Sequence, residues 1–148
     1  MRVLCAAACL CLAVLLAARP ALADQSISVS AINLGMAGED DFYAGQIVVR
    51  YHPVYWESDI PWMITVRSLD ADLGMSGDGS YIKPLADLQW KLSDENQWIA
   101  MRQDEEEVDS SSDTGSGAVT MDFRALLNWK RDRPGDYRAT LRFTITGQ

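Results

Sequence analysis

His52 is the only histidine in the chain, and the three cysteines, Cys5, Cys9 and Cys11, all lie near the N-terminus. Nucleophilic catalysis needs a Ser, Cys or Thr beside a base, which is usually His. The Gly-x-Ser-x-Gly turn that presents a catalytic serine in many hydrolases does not occur in the sequence. A zinc site would have to combine His52 with carboxylates alone, unlike the usual His- and Cys-rich ligand sets. We therefore expect no catalytic residue, no zinc site and no enzymatic activity.

Carboxylates are abundant, with 21 Asp and Glu against 13 Lys and Arg. With so many, a pair at the spacing used by glycosidases will occur by chance, so it indicates little. Calcium is the one ion that such acidic loops could bind, and segments 38–41, 70–74 and 104–113 offer suitable oxygens. None has the EF-hand spacing, and solvated turns are the simpler interpretation. We expect no cofactor other than such calcium, and a mobile acidic loop over residues 104–117.

Aromatic side chains are the other candidates for ligand contact. Trp62, Trp90 and Trp129 fall on predicted inward positions, where core packing explains them, and Trp98 is ambiguous. Tyr55 and Trp56 instead lie in a predicted loop at 52–60. An exposed aromatic pair can stack on sugar rings or anchor a protein partner. The alternative is that this loop folds back and caps the core.

Residues 1–23 have the features of a cleaved secretory signal. Arg2 supplies positive charge, residues 3–18 are apolar, and Ala21 and Ala23 are small residues at the positions a signal peptidase reads. We expect removal of this signal helix after Ala23, which makes the protein periplasmic or extracellular. The apolar run is shorter than the roughly 20 residues of a membrane-spanning helix, so we do not expect the chain to span a membrane. A lipoprotein signal is disfavoured because its cysteine would lie at the end of the apolar run.

Cleavage leaves residues 24–148 as one domain without cysteine, so no disulfide can form. The whole chain has a net charge of −8, and loss of Arg2 and Arg19 makes it more negative. A nucleic-acid partner requires a basic surface, and an anionic membrane would also repel this protein. Both classes of partner are therefore excluded from our expectations.

Apolar residues recur at every second position along most of residues 24–148, the pattern of strands with one buried face. We predict strands at about 26–33, 43–51, 61–69, 86–92, 97–102, 119–129 and 137–145. The last two should form a hairpin, because the Pro134-Gly135 pair between them favours a type II turn. The pattern predicts an all-β fold, an antiparallel β-sandwich of about seven strands, with a closed barrel as the alternative.

Three segments give the chain a family resemblance: Pro61 to Val66, Ile82 to Trp90, and Pro134 to Ile145 with its Pro-Gly-x-Tyr turn and alternating last strand. Their order resembles that of small bacterial secreted β-sandwich proteins, among them pilin-like and spore-coat-U-like surface subunits. The resemblance implies an immunoglobulin-like or pilin-like sandwich that serves at the cell surface and is assembled by strand addition. Unlike pilins with a disulfide bond, this chain has no cysteine pair in the domain.

Two functional hypotheses follow. The first is a non-catalytic structural or interaction protein of the cell envelope that binds a protein partner or itself. Its donor or edge strand would lie in 24–33, with Ile27, Val29 and Ala31 facing inward, although this segment could equally be the first strand of its own sheet. The second is a secreted carbohydrate-binding module that uses Tyr55 and Trp56, with or without loop calcium.

Overall fold

The computed structural model describes residues 23–148, so the predicted signal segment lies almost entirely outside the described residues. This part of the chain is mostly β-strand. Its elements are β1 (Gln25–Val29), α1 (Glu39–Ala44), β2 (Gln46–Ser58), β3 (Trp62–Ser68), β4 (Asp72–Met75), β5 (Ile82–Pro84), a 3-10 turn (Leu85–Asp87), β6 (Leu88–Leu92), β7 (Ile99–Ala100), β8 (Glu106–Ser111), β9 (Gly115–Leu126) and β10 (Leu141–Gly147). The all-β prediction is therefore confirmed, with a six-residue helix that the sequence pattern did not predict.

The strands form antiparallel sheets. One sheet has five strands in the order β1-β2-β9-β6-β7, a second has three in the order β10-β3-β8, and β4 and β5 form a small pair. The described part thus contains ten strands rather than about seven, because β4 and β8 are short strands within segments predicted as loops, and β5 lies between two predicted elements. Within residues 23–148 no helix is long and apolar enough to span a membrane.

The core takes its buried side chains from both large sheets. The five-stranded sheet contributes Val54, Trp90, Met121 and Phe123, and the three-stranded sheet contributes residues such as Trp62, Ile64 and Val66. All of these are at most 2% exposed. Those in β3, β6 and β9 were predicted to face inward, so the alternation read from the sequence in these three strands is confirmed. Successive side chains of a strand point to opposite faces, and burial of one face therefore gives a period of 2.

The predicted hairpin between the last two strands is wrong. β9 lies between β2 and β6, whereas β10 pairs with β3 in the other sheet. The Pro134-Gly135 pair instead docks on the β4–β5 unit, where Gly77 N–H donates to the Pro134 carbonyl at 2.9 Å. Trp129, predicted to face inward, lies beyond β9, is 54% exposed, and packs on Phe42 with ring centroids 4.4 Å apart. The alternation of apolar residues identifies the buried face of a strand, but it does not identify the strand with which it pairs.

The predicted loop at 52–60 is also wrong, because β2 runs through it to Ser58. A bulge at Tyr51 replaces the loop. Tyr51 has a left-handed φ of 57°, its side chain is 69% exposed although inward alternation was predicted, and its N–H donates to Asp122 Oδ1 at 2.9 Å. The extra residue shifts the alternation, so that His52 and Val54 become buried and the strand continues.

The acidic segment 104–117 is not entirely a loop. Residues Glu106–Ser111 form β8 and pair with β3. Val108 is 6% exposed, and this single apolar side chain anchors the strand while its acidic neighbours remain at the surface. A low-complexity composition does not prevent a strand when one residue supplies the buried position.

Candidate functional site

β1 and β10 are the terminal strands of the two large sheets and lie alongside each other. β1 pairs only with β2, and β10 pairs only with β3, among the described residues. Cα atoms of β1 and β10 approach within 8 Å. A Cβ added at Gly147 would lie 3.9 Å from Gln25 Nε2. We call this boundary between β1 and β10 the seam.

Main-chain groups of both strands are directed into the seam. Asp59 N–H donates to the Asp24 carbonyl, and Leu69 N–H donates to the Thr140 carbonyl. Hydrogen-bonded and non-bonded pairs alternate along an antiparallel ladder. These bonds therefore define which residues of each edge strand have their main-chain N–H and C=O groups directed away from the paired strand. Those residues are Gln25, Ile27 and Val29 in β1, and Leu141, Phe143, Ile145 and Gly147 in β10.

The seam is also lined by apolar side chains that are only half-buried. Ile27 and Val29 of β1 and Phe143 and Ile145 of β10 are partly buried, and all four pack on the buried residues of the core. By contrast, Ile64 and Val66 in the adjacent β3 are at most 1% exposed. Within residues 23–148 the seam therefore combines main-chain groups that no strand pairs with and apolar surface that is incompletely buried.

The width of the seam limits how a partner could bind. Neighbouring strands of a sheet are about 4.8 Å apart, so insertion between β1 and β10 would require a separation of about 9.6 Å. Their closest Cα atoms are within 8 Å. At this separation no strand fits between β1 and β10, so strand addition here would replace β1 on β2 rather than insert beside it.

The predicted donor segment 24–33 forms the first strand of its own sheet. Ile27 and Val29 face the core as predicted, but Ala31 is exposed, so its inward assignment is wrong. β1 ends at Val29 because the next position is opposite Pro53, which has no N–H to continue the ladder. Ile32 then supplies the apolar contact expected of Ala31.

Tyr55 and Trp56 lie in β2 rather than in a loop, and as successive strand residues they point to opposite faces. Tyr55 is 57% exposed. Trp56 packs against Trp62, with ring centroids 4.4 Å apart and planes inclined by 39°. The two rings do not form a shared surface on which a sugar could stack.

His52 is buried beside Phe123. Its Nε2 is 3.1 Å from the Ser30 carbonyl oxygen and 3.5 Å from Ser30 Oγ. The shorter contact is with a pure acceptor, so Nε2 carries the proton and donates it to the carbonyl. In this arrangement Nε2 is not a base for the Ser30 hydroxyl, and the histidine holds the chain just after β1.

Lys83 is the centre of a buried ion-pair cluster. Its Nζ donates to Asp132 at 2.7 Å, to Asp87 at 3.2 Å and to the Leu126 carbonyl at 2.8 Å, and Arg131 pairs with both carboxylates. Burial alone would raise the pKa of Asp132, but the hydrogen bonds from Lys83, Asn128 N–H and Arg131, together with the Lys83 charge, outweigh it and the pKa is lowered. Lys83 Nζ thus donates to three acceptors, two of them carboxylates, and this cluster fixes the β9–β10 connector.

Asp122 anchors the bulge of β2 from the outer face of the five-stranded sheet. Its carboxylate accepts from Tyr51 N–H, from Ser93 Oγ at 2.7 Å and from Lys91 Nζ at 3.0 Å. Burial would raise its pKa, but these hydrogen bonds and the Lys91 charge lower it. Neither this cluster nor that of Lys83 was predicted, although the Lys83–Asp87 spacing of four residues was a usable signal.

Within residues 23–148 no group of three or more His, Cys, Asp or Glu side chains is arranged to hold a metal ion. Two of the acidic segments considered for calcium bond their own main chain instead. Asp41 accepts from Gly38 N–H at 2.8 Å, and Asp72 accepts from Gly74 N–H at 2.9 Å. These carboxylates stabilise turns, the simpler interpretation of their sequence.

Comparison with known proteins gives no assignment: neither a protein-family model nor a curated protein matches the chain. The geometry of the seam and of the sheet surfaces is therefore the guide to function.

Proposed function

We propose that this chain is an exported, non-catalytic structural or interaction protein of the bacterial cell envelope, a β-sandwich subunit resembling pilin-like surface proteins. It associates with a protein partner by strand addition at the seam. The observation that carries this proposal is that β1 is five residues long, pairs only with β2 among residues 23–148, and packs on the core through the half-buried side chains of Ile27 and Val29, so that a like strand can take its place. The signal-like residues 1–23 and the resemblance of the strand pattern support export to the periplasm or cell surface.

Replacement of β1 is energetically balanced when the incoming strand has the same sequence. A second copy of the chain supplies Ile27 and Val29 at the same alternating positions, and its ladder to β2 recovers the hydrogen bonds that the displaced strand loses. β1 is short, at five residues, and has a single bonded neighbour. Self-association by exchange of β1 is the form of strand addition that this geometry favours.

The opposite edge of the three-stranded sheet is a poor alternative. β8 carries Glu106, Glu107 and Asp109, and charged side chains on an edge strand oppose pairing with another chain. β1 has no charged residue, with Ser26 and Ser28 on its outer face. The difference in side chains favours the seam over β8 as the site of association.

Peptide complementation tests this proposal. A chain lacking residues 24–33 is refolded with a synthetic peptide of those residues, and capture is measured by fluorescence anisotropy. The matched control peptide carries Ile27→Asp and Val29→Asp, which place two charges at core-facing positions. We expect the shortened chain to capture the native peptide but not the control peptide, and we expect the captured peptide to raise the melting temperature of the shortened chain. A shortened chain that folds equally well without peptide and captures neither one would contradict strand addition.

A further inference from the structure

Arg124 lies on the outer face of the five-stranded sheet, opposite in direction to its fully buried neighbour Phe123. The strands on either side contribute Gln46 from β2 and Gln89 from β6. Trp98, from the segment before β7, lies over the guanidinium, with its ring centroid 4.4 Å from the guanidinium carbon. All four side chains are half-buried, so the group remains open to solvent on one side.

The guanidinium is held in one orientation. Nε and Nη2 both donate to Gln89 Oε1, at 2.8 Å and 2.6 Å, and Nη1 donates to Gln46 Oε1 at 2.8 Å. Stacking of Trp98 restrains the plane of the group from a third direction. Such fixed geometry reduces the conformational entropy that a ligand would otherwise have to remove on binding.

The charge of Arg124 differs in its surroundings from that of its cationic neighbour Lys91. Among residues 23–148, Arg124 forms no salt bridge, whereas Lys91 on the adjacent strand pairs with Asp122 at 3.0 Å. The contrast is notable because acidic residues outnumber basic ones, 21 to 13. Partial burial lowers the pKa of Arg124, which reflects the cost of keeping a cation there. A binding function would account for a half-buried cation that has no carboxylate partner among residues 23–148.

The remaining donors indicate what could bind. A guanidinium has five N–H groups, and three of the Arg124 groups donate to the glutamines, so one is left on each terminal nitrogen. Two such N–H groups match the two oxygens of a carboxylate. Because both glutamine Oε1 atoms face Arg124, the Nε2 amides of Gln46 and Gln89 are directed elsewhere and can donate to hydroxyl oxygens.

We propose that Arg124, Gln46, Gln89 and Trp98 bind a saccharide that carries a carboxylate, such as a hexuronic acid unit. The carboxylate accepts from the two remaining N–H groups of Arg124, the sugar hydroxyls accept from the glutamine amides, and the ring packs beside Trp98. The acidic protein would repel a long polyuronate, so the ligand is a short oligosaccharide or a chain end. This site is separate from the seam and does not depend on strand addition.

The test compares the binding of trigalacturonate with that of the corresponding neutral galactose trisaccharide, by calorimetry on the full domain. We expect the acidic sugar to bind about tenfold more tightly or better, since a charge-assisted bidentate pair is the main contact. Arg124→Gln and Arg124→Lys should each lose about tenfold, because lysine keeps the charge but not the fork. Arg138→Gln is the matched control, since that arginine is 85% exposed, and it should bind as the wild type does.

Several results would overturn the proposal. These are equal binding of both sugars, unchanged binding by Arg124→Gln, no binding of trigalacturonate, or a preference for an acetylated tripeptide with a free carboxyl terminus. A purely structural role for Arg124 predicts a lower melting temperature in Arg124→Gln and no saccharide binding by the wild type. Arg124→Lys retains a cation against Trp98, so its binding can be measured if Arg124→Gln does not fold.

Discussion

Trp56 in β2 and Trp62 in β3 pack against each other across the two large sheets, with ring centroids 4.4 Å apart. The strands are consecutive in the chain and are joined by the short turn 59–61, yet they belong to different sheets. A Cβ added at Gly117 would lie 3.0 Å from Trp56 Cζ2, so the ring is also enclosed from β9. Trp56 is thus part of the packing between the sheets.

Substitution of Trp56 should therefore act on stability. We expect Trp56→Ala to reduce the free energy of unfolding by about 3 kcal/mol, through lost contacts with Trp62 and the resulting cavity. Tyr55→Ala should change it by less than about 0.5 kcal/mol, because that side chain is 57% exposed. Urea denaturation of both variants measures the difference. Equal effects of the two substitutions would contradict the placement of these residues on opposite faces.

Tyr81 has a buried hydroxyl with no hydrogen-bond partner among residues 23–148. Burial, followed by the nearby charge of Asp132, raises its pKa from 10.0 to about 12. The folded state therefore binds this proton more tightly than the unfolded state, and the associated stability is lost as the pH rises from 10 through about 12. Tyr81→Phe should be about 1 kcal/mol more stable at neutral pH and should lose less stability in alkali. Thermal unfolding at pH 7 and above pH 10 checks both effects, with Tyr55→Phe as the exposed control.

Asp132 links the Lys83 cluster to the β9–β10 connector, and its side chain is 4% exposed. Its lowered pKa means that its stabilising effect is present above the unfolded value of 3.8 and is lost as the pH falls through the folded value. Asp132→Asn should be destabilised by about 3 kcal/mol at pH 7, because Lys83 and Arg131 then share a single carboxylate. It should also lose less stability in acid than the wild type does. Asp136→Asn is the control, because that side chain is 91% exposed. It should behave as the wild type does in urea denaturation, both at pH 7 and in acid.

The sequence pattern predicted correctly which side chains of several strands are buried. It did not predict correctly which strands pair with each other. Trp62, Ile64 and Val66 were assigned inward and are buried, because alternation with period 2 is a local consequence of strand geometry. The pairing of β10 with β3 was missed because the Pro134-Gly135 turn suggested a local hairpin. That turn docks on β4–β5, a contact between segments far apart in sequence.

At the candidate sites, too, the sequence pattern missed contacts between residues that are far apart in the chain. The bulge at Tyr51 depends on Asp122, 71 residues away, so no local pattern marks the point where the alternation of β2 shifts. Ile27 and Val29 were correctly identified as core-facing, but the seam also requires β10, which the predicted hairpin placed elsewhere. Arg124 alternated outward as an ordinary surface residue, and only the register reveals Gln46 and Gln89 beside it.

A disulfide between β1 and β2 tests whether β1 exchanges between copies of the chain. Ser28 and Tyr55 are opposite each other, and both side chains point outward. A hydrogen-bonded antiparallel pair has Cα atoms about 5.5 Å apart, which suits a disulfide. All native cysteines lie in residues 1–23, so Ser28→Cys with Tyr55→Cys gives the domain a single dithiol pair.

The measurement is the mass in solution, by light scattering, of this double variant in its oxidised and reduced forms at the same concentration. We expect a monomer when the disulfide locks β1 on its own β2, and larger assemblies when reduction frees β1 to exchange. The same mass in both forms, with the lock confirmed by the mass of the oxidised chain, would contradict strand exchange at the seam.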